Sequence, residues 1–393
     1  MLNKEIKLLY SMELFSGLAR GSYLVCIGWT TLIISNNVAT VGQIFFVASI
    51  TYILAGPFIG IVIDRYQRRK LIIPAQLSIA ASMLCMGGLI FYTRDVSVLW
   101  LFATVITVSS FRIMYRGAFD GIIRASVDDK DILATLARAN FIHLFSTAAG
   151  TAAIGFIIQT FSPAHAFVVS AAASLFLLTV AGFLADGTAK TNFRGFAGFW
   201  SDFKSGLVIF KNNKLIQMLT LLSVVALPVG QLSNSLLSSF IRDDLSRGSD
   251  LFGIVDAAWP LGGMLAAASL SSRMKSLSIK NGEYALAILA GAATLVLSYC
   301  TESFCLAAAH GFMGFFVWLC RIVIGGRVLE LCDSKNVGRT TVYKESMTAV
   351  AAMVMSLSPT VIKLDATALY FSYWGLFVMV AALVLWCWKI KTT

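Results

Sequence analysis

A few titratable side chains interrupt the long apolar stretches of this chain. Glu13 and Arg20 stand two turns apart in the first stretch, on one face of a helix. Arg112 and Arg116 lie one turn apart in another, and Asp256 is followed by Trp259 and Pro260. Arg321, Lys344 and Glu345 occupy two late stretches, with His143 and His310 elsewhere and the amides Gln231 and Asn234 between them. A charge held at the centre of a bilayer costs about 2.5 kcal/mol or more, so each such residue asks for a partner or a task. A carboxylate partly withdrawn from water can take up and release a proton, and a histidine can pass one on. An arginine in an apolar setting can hold an anionic group.

Glu13, Asp256 and Glu345 are therefore the candidate proton acceptors. Glu13 stands first, about a third of the way into its helix. Its ordinary alternative is an interfacial charge reaching back to water, and that of Asp256 is a polar residue at a helix end. Arg20, Arg112, Arg116, His143, Gln231, Asn234, Trp259 and Arg321 are the candidates to line a substrate cavity. Arg20 can bind an anionic substrate group, or it can hold a fixed ion pair. Arg116 and Arg321 read first as gate or packing residues, and His143 first as an interhelical hydrogen bonder.

The elements that must position these groups follow from composition. The 393 residues are 58% hydrophobic and 13% charged, with mean hydropathy +0.80. Soluble domains carry about 25% charged residues, so a soluble enzyme, a disordered chain and a secreted disulfide scaffold are excluded. A spanning helix needs about 20 apolar residues. Twelve runs of that kind occur, near 8–34, 43–63, 73–92, 97–118, 135–159, 164–184, 215–240, 251–271, 283–300, 303–326, 340–362 and 367–388. Six precede a long connection at 185–214 and six come after it. The expected domains are a six-helix bundle at 1–184, a linker at 185–214 and a second six-helix bundle at 215–393.

Lys and Arg divide unevenly between the two sets of loops, 21 on the side of the N-terminus against 4 on the other. The positive-inside rule places both termini and the linker in the cytoplasm. It also accounts for the net charge of +11 without a nucleic-acid partner. Within the linker, Phe196, Phe199, Trp200, Phe203, Leu207 and Phe210 recur at helical spacing with polar residues between. This predicts an amphipathic helix over 193–211 at the cytoplasmic membrane surface. The segment after Met1 is too long in its apolar run for a cleavable signal. The seven cysteines, none in a C-x-x-C pair, read as small apolar fillers. No metal-ligand spacing, phosphate-binding glycine loop or nucleophile elbow occurs, so no enzyme, metal or cofactor is expected, and no ATP-driven pump in the chain alone.

One loop is more specific. After the second run comes Gly60-Ile61-Val62-Ile63-Asp64-Arg65-Tyr66-Gln67-Arg68-Arg69. This G-x-x-x-D-R-x-x-R-R pattern between helices two and three resembles the signature loop of the major facilitator superfamily. Gly60, Asp64, Arg65, Arg68 and Arg69 would then form a cytoplasmic gate, the arginines bridging to carboxylates and carbonyls of neighbouring helices. The linker entering helix seven, with Asn336-Val337-Gly338-Arg339 before helix eleven, resembles the branch holding macrolide efflux proteins and enterobactin-type siderophore exporters. Gly150 and Gly155 keep part of that superfamily's antiporter pattern in helix five, without its proline. A shift of 205 residues places Arg116 on Arg321 and Asn140 on Glu345, as a duplicated bundle requires.

The resemblance implies an all-α membrane protein of 12 transmembrane helices in two pseudo-symmetric six-helix bundles, rocking around a central site. It implies a proton-coupled exporter of a siderophore-like anionic metabolite or drug, in a bacterial inner membrane. The alternative is a proton-coupled importer of a small metabolite such as a siderophore. The expected partners are the substrate, protons and the lipid bilayer, with no nucleic acid, and the chain is expected to act as a monomer.

Overall fold

The computed structural model describes residues 4–93, 96–127, 132–183, 195–273, 281–332 and 334–392. Among these the chain is helical throughout, without a strand. Apolar runs of this length take that form because a helix satisfies its own backbone polar groups where no water can.

The helices of the first half are α1 (Lys4–Ser35), α2 (Val38–Arg65), α3 (Arg68–Tyr92), α4 (Val98–Ser126), α5 (Ile132–Thr160) and α6 (Pro163–Ala181). Then come α7 (Gly195–Asn212), α8 (Lys214–Ala226), α9 (Val229–Ser239) and a π-helical turn, Phe240–Asp244. The rest are α10 (Ser249–Arg273), α11 (Gly282–Leu297), α12 (Ser303–Leu331), α13 (Ser334–Ser356), α14 (Ser358–Val361) and α15 (Thr367–Thr392). Short polar residues set several starts. Asn37 accepts from the Ala39 amide, Ser97 from Leu99, and Asn213 from both Leu215 and Ile216.

Among the described residues, ten helical spans are long and apolar enough to cross a membrane, with α8, α9 and the π-turn counted as one. Of the other two expected runs, α11 is a shorter apolar helix of 16 residues. The other, α13, opens on the polar stretch Ser334 to Glu345. The expected helix at 215–240 is broken after Ala226, because Pro228 has no amide hydrogen to donate. The expected helix at 340–362 begins earlier and ends at Ser356, with the short α14 carrying Pro359 in its first turn. The linker helix spans Gly195–Asn212, and 184–194 lie outside the described residues.

The chain divides into two compact units. One comprises Met1–Thr40, Ile50–Phe196 and Gly248–Ala257. The other comprises Val41–Ser49, Ala197–Arg247 and Ala258–Thr393. In the first, α1 packs on α5 and α6, and α3 on α4 and α6, around Leu9, Met12, Ile72, Tyr115 and Phe119. In the second, α11 packs on α15 and α12, around Leu222, Tyr284, Cys320 and Ile324.

The tightest helix seam of the first unit is built on glycine. Gly17 and Gly21 face α5 from α1, and Gly150 faces α1 from α5. A β-carbon on Gly21 would strike the Thr147 carbonyl, and one on Gly150 would come within 2.5 Å of the Leu18 carbonyl. Lipid tails are as apolar as the helices, so close backbone contact of this kind is what draws membrane helices together.

The cysteine expectation is corrected in part. Cys300 and Cys305 are joined by a disulfide across the α11–α12 turn. Spacing in sequence could not reveal it, because it is the reversal of the chain after Leu297 that brings the two sulfurs together. The other five are free.

Candidate functional site

The α1–α5 seam sets the position of Glu13. Residues 13, 17 and 21 repeat every four positions and so share one face of α1. On α5 the facing residues are His143, Ser146, Thr147, Gly150 and Thr151. Ser146 donates to the backbone carbonyl of Glu13 at 3.4 Å, beside stronger bonds to the carbonyls of Ile142 and His143. The Glu13 carboxylate is thereby fully buried.

Two basic groups meet it there. Arg116 of α4 donates from Nη1 to Oε1 at 2.7 Å. His143 brings Nδ1 to 2.8 Å from Oε2, off the line that an N–H donor needs, so neither atom has a well-formed hydrogen bond. Arg116 is 40% exposed and holds a second carboxylate, Asp120, from Nε at 3.2 Å. Its guanidinium also stands over the Phe119 ring. The result is a buried carboxylate that shares one arginine with an exposed one. Asp120 is absent from the candidates drawn from the sequence, although its i,i+4 spacing from Arg116 is visible there.

Nearby in the same unit, Arg20 and Arg112 lie within electrostatic reach of each other, and Asp256 of α10 within reach of Arg20. Arg112 lines a cavity of about 20 Å3 with Tyr23, Gln76, Tyr115 and Ser174. That is room for one water, and the lining includes the buried Ser174 hydroxyl, which has no hydrogen-bond partner within the protein.

The second unit holds a related arrangement. Arg321 of α12 approaches Glu345 of α13 at 3.6 Å, and Lys344 donates to the same carboxylate at 2.9 Å. Lys344 is buried, whereas Arg321 and Glu345 are each nearly half exposed. Arg321 also stands over Trp318. Arg116 and Arg321, aligned by the 205-residue shift, thus each meet a carboxylate, but from different helices: α1 in one case, α13 in the other. Asn140, aligned with Glu345, is exposed on α5.

Other expected cavity residues are engaged within the unit. Gln231 donates to the Phe45 carbonyl at 3.0 Å and to Ser49 at 3.1 Å, and Asn234 donates to Gln231. Trp259 lies against Gly230, Gly314 and the buried His310 ring, whose Nε2 is 2.7 Å from the Ser233 hydroxyl.

In the gate motif, Gly60 and Arg65 lie on α2, half-buried and exposed respectively, and the Asp64 side chain is outside the described set. Arg68 opens α3, is buried, and donates to the Gly121 carbonyl on α4. Arg69 donates to the Gly182 carbonyl at 2.5 Å. No group of three metal-ligating side chains occurs among the described residues.

The family profile described as Major Facilitator Superfamily matches residues 9–361. No curated protein sequence matches the chain. Among solved structures, the nucleoside transporter NupG is similar with a TM-score of 0.78 at 13% identity, over 98% of this chain and 99% of that one. A mutant of the peptide transporter POT is similar with a TM-score of 0.76 at 12% identity, over 98% of this chain and 94% of that one. At these identities the likeness is one of fold.

Proposed function

Because this chain belongs to the major facilitator superfamily, and is accordingly a multi-pass membrane protein and secondary transporter rather than an enzyme, we propose that it exports a small organic molecule by proton antiport. The observation that carries this reading is the Glu13 site. A buried carboxylate facing an arginine and a histidine must keep its charge to keep its partners. Protonating it frees Arg116, which still has Asp120 to bind. Proton occupancy at Glu13 then decides which carboxylate Arg116 holds, and with it how tightly α1 is tied to α4.

Asp256 and Glu345 are the further proton-accepting candidates, each with a basic group in reach, Arg20 and Arg321. Arg20 and Arg112 are the residues assigned to an anionic group of the substrate, for they gather positive charge within reach of each other. Such a pair favours a carboxylate- or catecholate-bearing metabolite of the siderophore kind over a cationic drug, and the branch resemblance at the linker and before α13 admits both. Arg68 and Arg69, bonded to carbonyls beyond their own helix, serve as the cytoplasmic latch with Gly60, Asp64 and Arg65. The functional halves are 1–184 and 215–393, joined by the linker 185–214, in a monomer in a bacterial inner membrane. Both termini lie in the cytoplasm, on the side rich in Lys and Arg.

The test is flux in inside-out vesicles with an imposed proton gradient, using a carboxylate siderophore, a catecholate siderophore, a cationic dye and a macrolide. Gradient-dependent accumulation of a siderophore, weakened by Arg20→Gln, is the expected result. Accumulation of the dye or macrolide alone refutes the anionic assignment. Uptake that runs with the proton in right-side-out vesicles refutes export and makes the chain an importer.

A further inference from the structure

The α11–α12 turn holds chemistry that transport does not use. α11 ends at Leu297, α12 begins at Ser303, and the link 298–302 contains no Lys or Arg. The Cys300 amide closes the end of α11 on the Leu297 carbonyl, and Glu302 caps α12, accepting from the Leu306 amide. Each helix end is thus finished by its own backbone bonds, and the turn has no need of a cross-link to form. Yet Cys300, buried, and Cys305, exposed in the first turn of α12, are bonded sulfur to sulfur. The five free cysteines, Cys26, Cys85, Cys320, Cys332 and Cys387, lie within helices or, for Cys332, at the inner end of α12. So the cross-link joins the pair at a connection, between the ninth and tenth of the twelve expected runs, that the charge distribution places outside the cytoplasm.

Disulfides persist where the compartment is oxidising and are kept reduced in the cytosol. We propose that Cys300 and Cys305 are a structural disulfide formed outside the cytoplasm, by exchange with a disulfide-bearing oxidant of that compartment. In this exchange the two thiols give up two electrons and two protons. The oxidant's disulfide accepts them and leaves as a dithiol, and one sulfur–sulfur bond forms in the chain as one is broken in the oxidant. The proposal rests on the orientation that holds both termini in the cytoplasm.

The clasp also has a mechanical meaning. α11 is seated on α15 through Gly291 against Gly375. Tying the outer end of α12 to α11 joins it covalently to that packed pair. α12 carries His310, Trp318 and Arg321, so the helix bearing the Arg321–Glu345 contact is anchored at its outer end.

The experiment is thiol tagging of the full chain in its membrane, with the five other cysteines replaced by serine. The reagents are a membrane-impermeant polyethylene-glycol maleimide and an impermeant phosphine reductant. In intact cells we expect no tag without reductant and a tag at the exposed Cys305 after it. Tagging from outside without reductant overturns the disulfide and leaves the orientation standing. Protection from outside, with tagging in inverted vesicles without reductant, overturns both. Should the five-fold variant fail to accumulate, peptide mass analysis of the unsubstituted chain digested without reductant gives the same decision. A peptide pair linked through Cys300 and Cys305 supports the clasp, and separate thiol peptides overturn it.

Discussion

Glu13→Gln is the most informative perturbation of the proposed coupling site. The amide is nearly isosteric and retains an oxygen to accept from Arg116, but it carries no charge. A charge-assisted bond contributes about 1.5–3 kcal/mol against about 1 kcal/mol for a neutral one. The 2.7 Å contact therefore loses about 0.5–2 kcal/mol. The full penalty for orphaning a buried charge, about 3–5 kcal/mol, does not apply. Arg116 is 40% exposed and keeps Asp120 at 3.2 Å. The variant should fold, insert and unfold at a modestly lower temperature in detergent. Coupling is another matter. A pH step of about one unit supplies about 1.4 kcal/mol per proton, enough for a tenfold accumulation. In vesicles carrying that step, Glu13→Gln should accumulate nothing above equilibration, while substrate exchange at equal concentrations on both sides continues. Glu13→Asp, which keeps the charge on a shorter arm, should restore part of the accumulation. Full gradient-driven accumulation by Glu13→Gln refutes the assignment of Glu13, and loss of exchange together with accumulation shows a structural role instead.

Helix packing sets two further outcomes. Gly21→Leu puts a side chain into the Thr147 backbone, and overpacking of this kind costs about 1–3 kcal/mol or more; the thermal unfolding temperature should fall measurably, and unchanged unfolding refutes the α1–α5 seam. Tyr343→Ala removes the buried ring that Phe203 and Phe210 each approach at 5.2 Å, and truncating a buried aromatic costs about 3–5 kcal/mol, which lies between α7 and α13 here. Limited proteolysis should then cut within α7 sooner than in the parent chain, and equal cutting rates refute the docking of the linker helix on α13.

Much of the fold was legible because span length, loop charge and turn chemistry are local sums. The twelve apolar runs appear as helices, two of them interrupted beside a proline and most with ends displaced by a few residues, and the amphipathic spacing from Phe196 to Phe210 appears as α7. Even the break at Pro228 was in principle readable, since proline cannot donate wherever it stands. Which neighbour α7 meets was not. The spacing suggested a helix at the membrane surface, and it could not add that Gly206 and the two phenylalanines set α7 against Arg339 and Tyr343 of α13. Nor could the chain alone say which charge meets which. Glu13 and Arg116 are 103 residues apart, and their meeting depends on how far α1 is turned about its axis. That rotation is decided by Gly17, Gly21 and Gly150, whose missing side chains let two backbones touch. Hydropathy determines that a helix enters the membrane; only close packing decides which of its faces looks at which neighbour, and for a carboxylate without water the neighbour determines what it can do.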